Sequence, residues 1–382
     1  MSDIGYNDNV DVAGRKFHVQ TASNLEKGIA RCEVFESGKL ITLQTVNFER
    51  RQARDEQSME QRVRRIVSDL HQETINEIDL IFQIAGKVKK IRHAPSNIKL
   101  GLIFLYNNLI KDAIEQFETA LSIDPDSAAA LSNLGLAYIQ VGNNNKAIQY
   151  LKQALSKNKN YADVYHNLGL AYLNEKQHYR ALQNFQEAIR MNPNYDKAHY
   201  NLAIVYLESI LTDKGDTLLP PPSIRLERAQ QQLIRLKEAH LNIFDDLYPR
   251  IEAAMAKSEI EKVVEILVSN RDRVFPNEIL SLIGVDFYLK FMYGGKGLSN
   301  QVINRFEKKL YHAIDEHPNY ADLWNNLGIV HLIQCRNLFL QALGEFDKAL
   351  EINPSFEKAR KNKKLVENDG KEFLILLRAI LR

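Results

Sequence analysis

Hydrophobic positions along this chain follow a period of two at first and a period near 3.6 afterwards. In residues 10–21 (VDVAGRKFHVQT) and 30–46 (ARCEVFESGKLITLQTV) apolar and polar side chains alternate, as in strands with one buried face. The first run predicts a strand pair or a strand bent at Gly14. The second predicts a hairpin at Ser37-Gly38, where Gly38 supplies the positive φ of a tight turn. Three short strands make a marginal sheet, so a helix or a partner is expected to cover it. From residue 49 the spacing changes. Met59, Val63, Ile66, Leu70, Ile78, Ile81, Ala85 and Val88 recur three and four apart, with no Pro among them. This predicts a long amphipathic helix, or two in series, punctuated at His93-Ala94-Pro95.

From residue 94 the helical pattern repeats. Gly101, Gly135 and Gly169 lie 34 residues apart (135 − 101 and 169 − 135), and so do Ala113, Ala147, Ala181 and Ala120, Ala154, Ala188. Phe104, Tyr138, Tyr172 and Tyr206 carry the same interval into a fourth unit, and Pro125 and Pro193 close two units. Independent columns sharing one period are the signature of a stacked repeat. The columns have a physical reason. Two helices approach closely only where the contact residues are small, and the large apolar positions fill the space towards the next unit.

These columns resemble the tetratricopeptide repeat (TPR). Residues 162–195 fit throughout, with Leu168-Gly169, Tyr172, Ala181, Phe185, Ala188 and Pro193. Residues 94–127 fit equally, and residues 128–161 carry Lys159 where Pro belongs. A fourth unit begins at Asp196 and is interrupted by TDKGDTLLPPPS, whose prolines read as a stiff loop; its second helix is expected to resume at Arg225. A degenerate helical pair follows over 240–276. A fifth unit is read from Ile283-Gly284 and Phe287 to Pro318. A sixth is read from Trp324 and Leu327-Gly328 to Ala342, Phe346, Ala349 and Pro354, with two extra residues near Cys335. The N-terminal segment is similar to a small module of bacterial TPR proteins and names no activity.

The resemblance implies a mainly α fold: a right-handed TPR solenoid of antiparallel helix pairs, preceded by a small β module and a long helix. The expected organisation is a β module (1–48), an amphipathic helical segment (49–93), three units and the start of a fourth (94–211), and an insertion with degenerate pairs (212–276). Degenerate and final units (277–356) and a C-terminal helical tail (357–382) complete it. The tail's apolar run EFLILLRAIL reads either as a cap or as a docking helix.

One further column stands out. Asn133, Asn167, Asn201 and Asn326 each precede the Leu of the Leu-Gly or Leu-Ala pair. Asn is a mediocre helix former, so propensity does not explain its recurrence. Each amide offers a donor and an acceptor and can bond both groups of one peptide unit. In a TPR these positions face the concave groove, so the resemblance implies a ladder that grips an extended partner's backbone. At about 1 kcal/mol each, three rungs strengthen binding on the order of a hundredfold. The alternative is that each Asn bonds a neighbouring helix. The ladder's neighbours in the groove are Ser132 and Leu136, His166 and Leu170, Tyr200 and Ile204, and Asn325 and Ile329. Lys99 occupies the place in the first unit. The groove positions where chaperone-binding TPR domains hold a terminal carboxylate carry Ile98, Leu102, Asp163 and Asn167, so that clamp is not expected.

Composition narrows the function further. Lys plus Arg number 50 and Asp plus Glu 48, a balance that argues against nucleic acid or an acidic membrane as the main ligand. The basic clusters near Arg62, Arg64 and Arg65 are interleaved with acids and read as a solvated helix face. Only Cys32 and Cys335 are present, which fits a reducing, cytoplasmic compartment. No secretory leader or membrane span is read. No catalytic residues, metal ligands or cofactor motif are expected: Lys296 is followed by Gly rather than Ser or Thr, and the histidines have no ligand spacing. Within 1–93, His18, His71, His93 and Cys32 form no recognisable set. The sequence therefore predicts a non-catalytic adaptor for a protein or peptide, or alternatively a structural subunit that self-associates through its C-terminal helix or N-terminal module.

Overall fold

The structure, a computed structural model, describes residues 3–48, 56–159, 161–212, 217–239, 242–275, 280–294, 300–316 and 321–381. It opens on four strands rather than three: β1 (Gly5–Val12), β2 (Arg15–Asn24), β3 (Ile29–Glu36) and β4 (Lys39–Asn47). They pair in sequence order as an antiparallel meander. Ala13-Gly14 and Ser37-Gly38 make the β1–β2 and β3–β4 turns with all four φ values positive, the backbone that suits the twist of a two-residue hairpin. Of the two readings at Gly14, a strand pair or a bent strand, the strand pair is the one that forms. Phe17, Val19 and Thr21 of β2 and Ala30, Cys32 and Val34 of β3 are buried at alternate positions. The helix α1 (Glu56–Val88) is continuous over 33 residues.

Two compact units emerge from the fold: Met1–Asn76 with Val88–Glu278, and Glu77–Lys87 with Ile279–Arg382. In the first, helices follow in pairs: α2 (Ala94–Tyr106) and α3 (Ile110–Ile123), α4 (Ala128–Gln140) and α5 (Asn144–Lys157), α6 (Ala162–Asn174) and α7 (His178–Met191). Then come α8 (Asp196–Thr212) with α9 (Pro222–Glu238) and α10 (Asn242–Ala256) with α11 (Ile260–Val274). Pro222 opens α9, three residues before the expected start, because proline fits the first turn of a helix.

The small residues of the repeat do what their column implies. A Cβ on Gly101 would lie 2.5 Å from Phe117, on Gly135 2.6 Å from Leu151, and on Gly169 2.9 Å from Phe185. Asn108, Gly142 and Lys176 take positive φ at the turn inside each pair. The next N–H then reaches back, from Leu109, Asn143 and Gln177 to the carbonyls of Phe104, Tyr138 and Tyr172 at 2.8–2.9 Å. This is a helix-terminating turn that satisfies otherwise orphaned carbonyls. The same turn recurs between α10 and α11, where Ser258 takes φ 58° and Glu259 N–H donates to Ala254 at 2.9 Å.

The sheet is tied to the first pair. Arg15 holds both oxygens of Glu36 at 2.6 and 2.7 Å and Asp112 of α3 at 2.6 Å. Asn108 donates to the Leu40 carbonyl at 2.9 Å.

The second unit contains α12 (Leu280–Tyr293), α13 (Asn300–Glu316), α14 (Ala321–Ile352) and α15 (Glu357–Leu381). Lys290 is buried and bonds Asp286 at 2.8 Å and Glu77 at 3.5 Å. The predicted sixth helix pair is a single helix: α14 runs unbroken for 32 residues. No Gly or Pro interrupts CRNLFLQ (335–341), so nothing in the local sequence stops the helix. Gly328 consequently faces open space, with nothing within 4 Å of a built Cβ. Side chains at Ile283, Gly284 and Phe287, and the segments 295–299 and 317–320, lie outside the described residues, as does most of the C-terminal apolar run. Of that run, the Phe373 ring lies tilted against that of Phe339 with centroids 5.8 Å apart, and Ile375 is exposed.

Candidate functional site

The first helices α2, α4, α6 and α8 lie side by side in the first unit, each touching the next. The column positions on these helices, Lys99, Asn133, Asn167 and Asn201, therefore lie along one surface of the first unit, and their environments differ along it. On α4, Ser132, Asn133 and Leu136 are partly exposed, and Asn133 makes no side-chain hydrogen bond to the described residues. On α6, Asn167 and Leu170 are partly exposed. Asn167 Oδ1 accepts from His166 Nδ1 at 3.2 Å, which leaves its Nδ2 donors free.

On α8 the surface is closed. Tyr200 and Ile204 are fully buried and Asn201 is 3% exposed. These three do not line an open groove, contrary to the expectation from their column. The cause is α11, the helix of its pair that packs on α8. Tyr200 O–H donates to the Leu267 carbonyl at 2.7 Å, and Phe244 and Phe275 meet the Tyr200 ring edge-on at 6.1 and 5.3 Å. Burial pushes the Tyr200 hydroxyl well above its ordinary range. The sequence hid this cover because Ile251 stands where the repeat columns of the earlier pairs carry Gly. The pair carries the repeat's turn without the repeat's columns.

His166 is buried too, and it joins two members of the column. Its Nε2 accepts from Asn201 Nδ2 at 3.0 Å, so its proton sits on Nδ1 and points at Asn167. Asn201 Nδ2 also reaches its own helix at the Lys197 carbonyl, 3.0 Å away, and its Oδ1 has no partner. Burial is the largest cause that lowers the His166 pKa, to about 4, so the ring is neutral near pH 7. At the other end of the surface, burial lowers the Lys99 ammonium and raises the Tyr106 hydroxyl. In the second unit, on α14, Asn325 is exposed and Asn326 and Ile329 are partly exposed.

Elsewhere the fold gathers residues that looked unrelated. The Thr21 hydroxyl lies 2.8 Å from His71 Nδ1 and 2.9 Å from Cys32 Sγ, and His71 Nε2 reaches Asp8 at 3.1 Å. Thr21 is 1% exposed and Cys32 0%, His71 is buried beside them and Asp8 is exposed at the end, so the chain Asp8–His71–Thr21–Cys32 pins the sheet on α1. Among the described residues no group of His, Cys, Asp and Glu is placed to hold a metal ion.

Sequence models of the family described as Tetratricopeptide repeat match residues 105–168, 162–195 and 184–231. No curated protein matches the chain. Solved structures similar to it include MamA, at 24% identity and a TM-score of 0.36 over 44% of this chain and 95% of that one. YrrB, described as a TPR protein with an unusual peptide-binding site, is 17% identical with a TM-score of 0.36, over 54% and 97% of the two chains. The second TPR domain of human RPAP3, solved with the HSP70 peptide SGPTIEEVD, is 21% identical with a TM-score of 0.29, over 29% and 93%.

Proposed function

This chain carries tetratricopeptide repeats over residues 105–231, and from that premise we propose that it is a non-catalytic adaptor that holds an extended peptide on the face formed by α4 and α6. One observation carries the reading: Asn133 and Asn167 stand on adjacent first helices, partly exposed, with amide donors unused among the described residues. A helix has no need of such residues at these places. An amide bonded to a ligand's main chain grips it whatever its side chains are. Ser132, Leu136 and Leu170 supply the mixed polar and aliphatic wall beside them. The ladder so read has two rungs in the first unit, because Asn201 bonds His166 and its own helix. Asn326 belongs to α14 and is a candidate rung there only.

The test uses the full chain on an array of random decapeptides, with the best binders re-measured by fluorescence anisotropy. At about 1 kcal/mol per hydrogen-bonding amide, the double variant N133A/N167A binds them roughly thirtyfold more weakly, with helicity unchanged. N201A lowers stability and leaves affinity alone. Equal affinity of N133A/N167A and the parent, both folded, removes the ladder.

A second reading, self-association as a structural subunit, is favoured by the second unit's surface. Leu338 (63% exposed), Ile352 (86%) and Ile375 (68%) are large apolar side chains that α14 and α15 leave in solvent. Sedimentation velocity decides: self-association gives a dimer or larger species that L338K/I352K converts to monomer, whereas a monomeric parent chain discards it.

A further inference from the structure

The helix α14 keeps the contact positions of a repeat pair and leaves them unused. In α2–α3, α4–α5 and α6–α7 a glycine of the first helix meets a large side chain 16 residues on (117 − 101, 151 − 135, 185 − 169): Gly101 and Phe117, Gly135 and Leu151, Gly169 and Phe185. Phe117, Leu151 and Phe185 are 0% exposed, and so are the alanines four before and three after each of them. In α14 the corresponding residues are Gly328, Phe346, Ala342 and Ala349. Gly328 has nothing within 4 Å of a built Cβ, and Ala342, Phe346 and Ala349 are each partly exposed. The chain therefore holds both halves of a contact that it does not make.

The reason is geometric. Gly328 and Phe346 are 18 residues apart (346 − 328) on one unbroken helix, about 27 Å at the rise of an α-helix. The earlier pairs bring their contacts together through a residue of positive φ, at Asn108, Gly142 and Lys176. Every residue from Cys335 to Gln341 is helical instead, and none is Gly or Pro. While α14 stays straight, Phe346 cannot reach Gly328 of its own chain. A second α14 lying antiparallel can supply it. With a twofold axis beside Asn337, midway between the two, each glycine faces the other copy's phenylalanine, and the contact forms twice. Leu338, one turn before Ala342 and 63% exposed, lies next to that axis. The face is thus complementary to itself: small against large towards both ends, apolar at the centre.

We propose that α14 pairs antiparallel with the α14 of a second copy of this chain, each helix taking from its partner the contact that the repeat columns assign within one pair. The product is an exchanged dimer, in which Phe346 of each chain fills the space at Gly328 of the other. This rests on the self-association reading above and gives it an interface.

In a dilute monomer Gly328 is open, so Gly328→Leu leaves the chain folded and acts on association alone. Sedimentation velocity is run on the full chain, on G328L, on F346A and on an equimolar mixture of the two variants. The parent is expected to dimerise. G328L weakens the dimer on the order of a hundredfold, about tenfold for each of two overpacked contacts, and keeps its helical signal. F346A empties both contacts and also dimerises more weakly. The mixture recovers the parent's affinity, because one contact is then parental and the other sets the enlarged side chain at 328 against the shortened one at 346. If F346A loses its helical signal, F346V takes its place in the mixture. A mixture no tighter than its components overturns the exchange. So does a G328L dimer as tight as the parent's, which leaves self-association through another surface standing. A parent chain that is monomeric at every concentration overturns the exchange and the self-association reading together.

Discussion

At the scale of single residues, glycines in the same sequence column have different weight. Gly169 is held against the Phe185 ring, whereas Gly328 meets nothing. Gly169→Ala is expected to cost about 1–3 kcal/mol through overpacking. Gly328→Ala gains about 0.5–1 kcal/mol from helix propensity. Urea titrations of the two variants measure both, and equal effects would show that the column, not the contact, sets the cost. His166 gives a pH dependence of known sign. Its folded pKa of about 4 lies below its ordinary 6.5, so the unfolded chain binds the extra proton. Stability is whole above pH 6.5 and falls as the pH drops towards 4, by up to about 1.4 kcal/mol per pH unit. Denaturation midpoints at pH 7.5 and 5.0 report the loss, and His166→Gln is expected to flatten it.

At the scale of elements, the repeats were legible because each column answers one contact: Gly for approach, aromatic and Leu for filling, Ala for the helix crossing. The strands were legible by alternation, but β1 stayed undecided between a separate strand and part of a bent one, since GYNDNVDV exposes most of its side chains. What holds the sheet was not legible at all. Asp8, Thr21, Cys32 and His71 are separated by up to 63 residues and meet only in the fold. Thr21→Val removes the hydroxyl between His71 and Cys32 and leaves a buried imidazole nitrogen unmet, at about 1–3 kcal/mol. Arg15→Ala leaves Glu36 and Asp112 without their shared cation. Hydrogen exchange is expected to quicken in β1–β4 and stay unchanged in α4–α7, because the lost contacts are local. Uniform acceleration across both would place the sheet inside the cooperative core of the repeats. The opposite lesson comes from α14, where correct columns did not make a pair because the turn between them lacks a helix stop.

At the scale of the whole molecule, the first unit couples a sheet, regular helix pairs and a closing pair, and the second holds α12–α15 with residues 77–87. No helix among the described residues is long and apolar enough to cross a membrane. Four amides in register suggested one long ladder. Two of them stand on the open part of one surface, one is covered, and one belongs to the other unit. The sequence by itself determined the repeating helix pairs, their small and large contact positions and the hairpins, because these depend on spacing along the chain and on neighbours a few residues away. Only the tertiary structure decided that α11 covers Tyr200, Asn201 and Ile204 and that His166 bridges two amides. Each of those depends on which distant helix excludes water from a given face, and that choice is made by packing among segments whose own sequence carries no period.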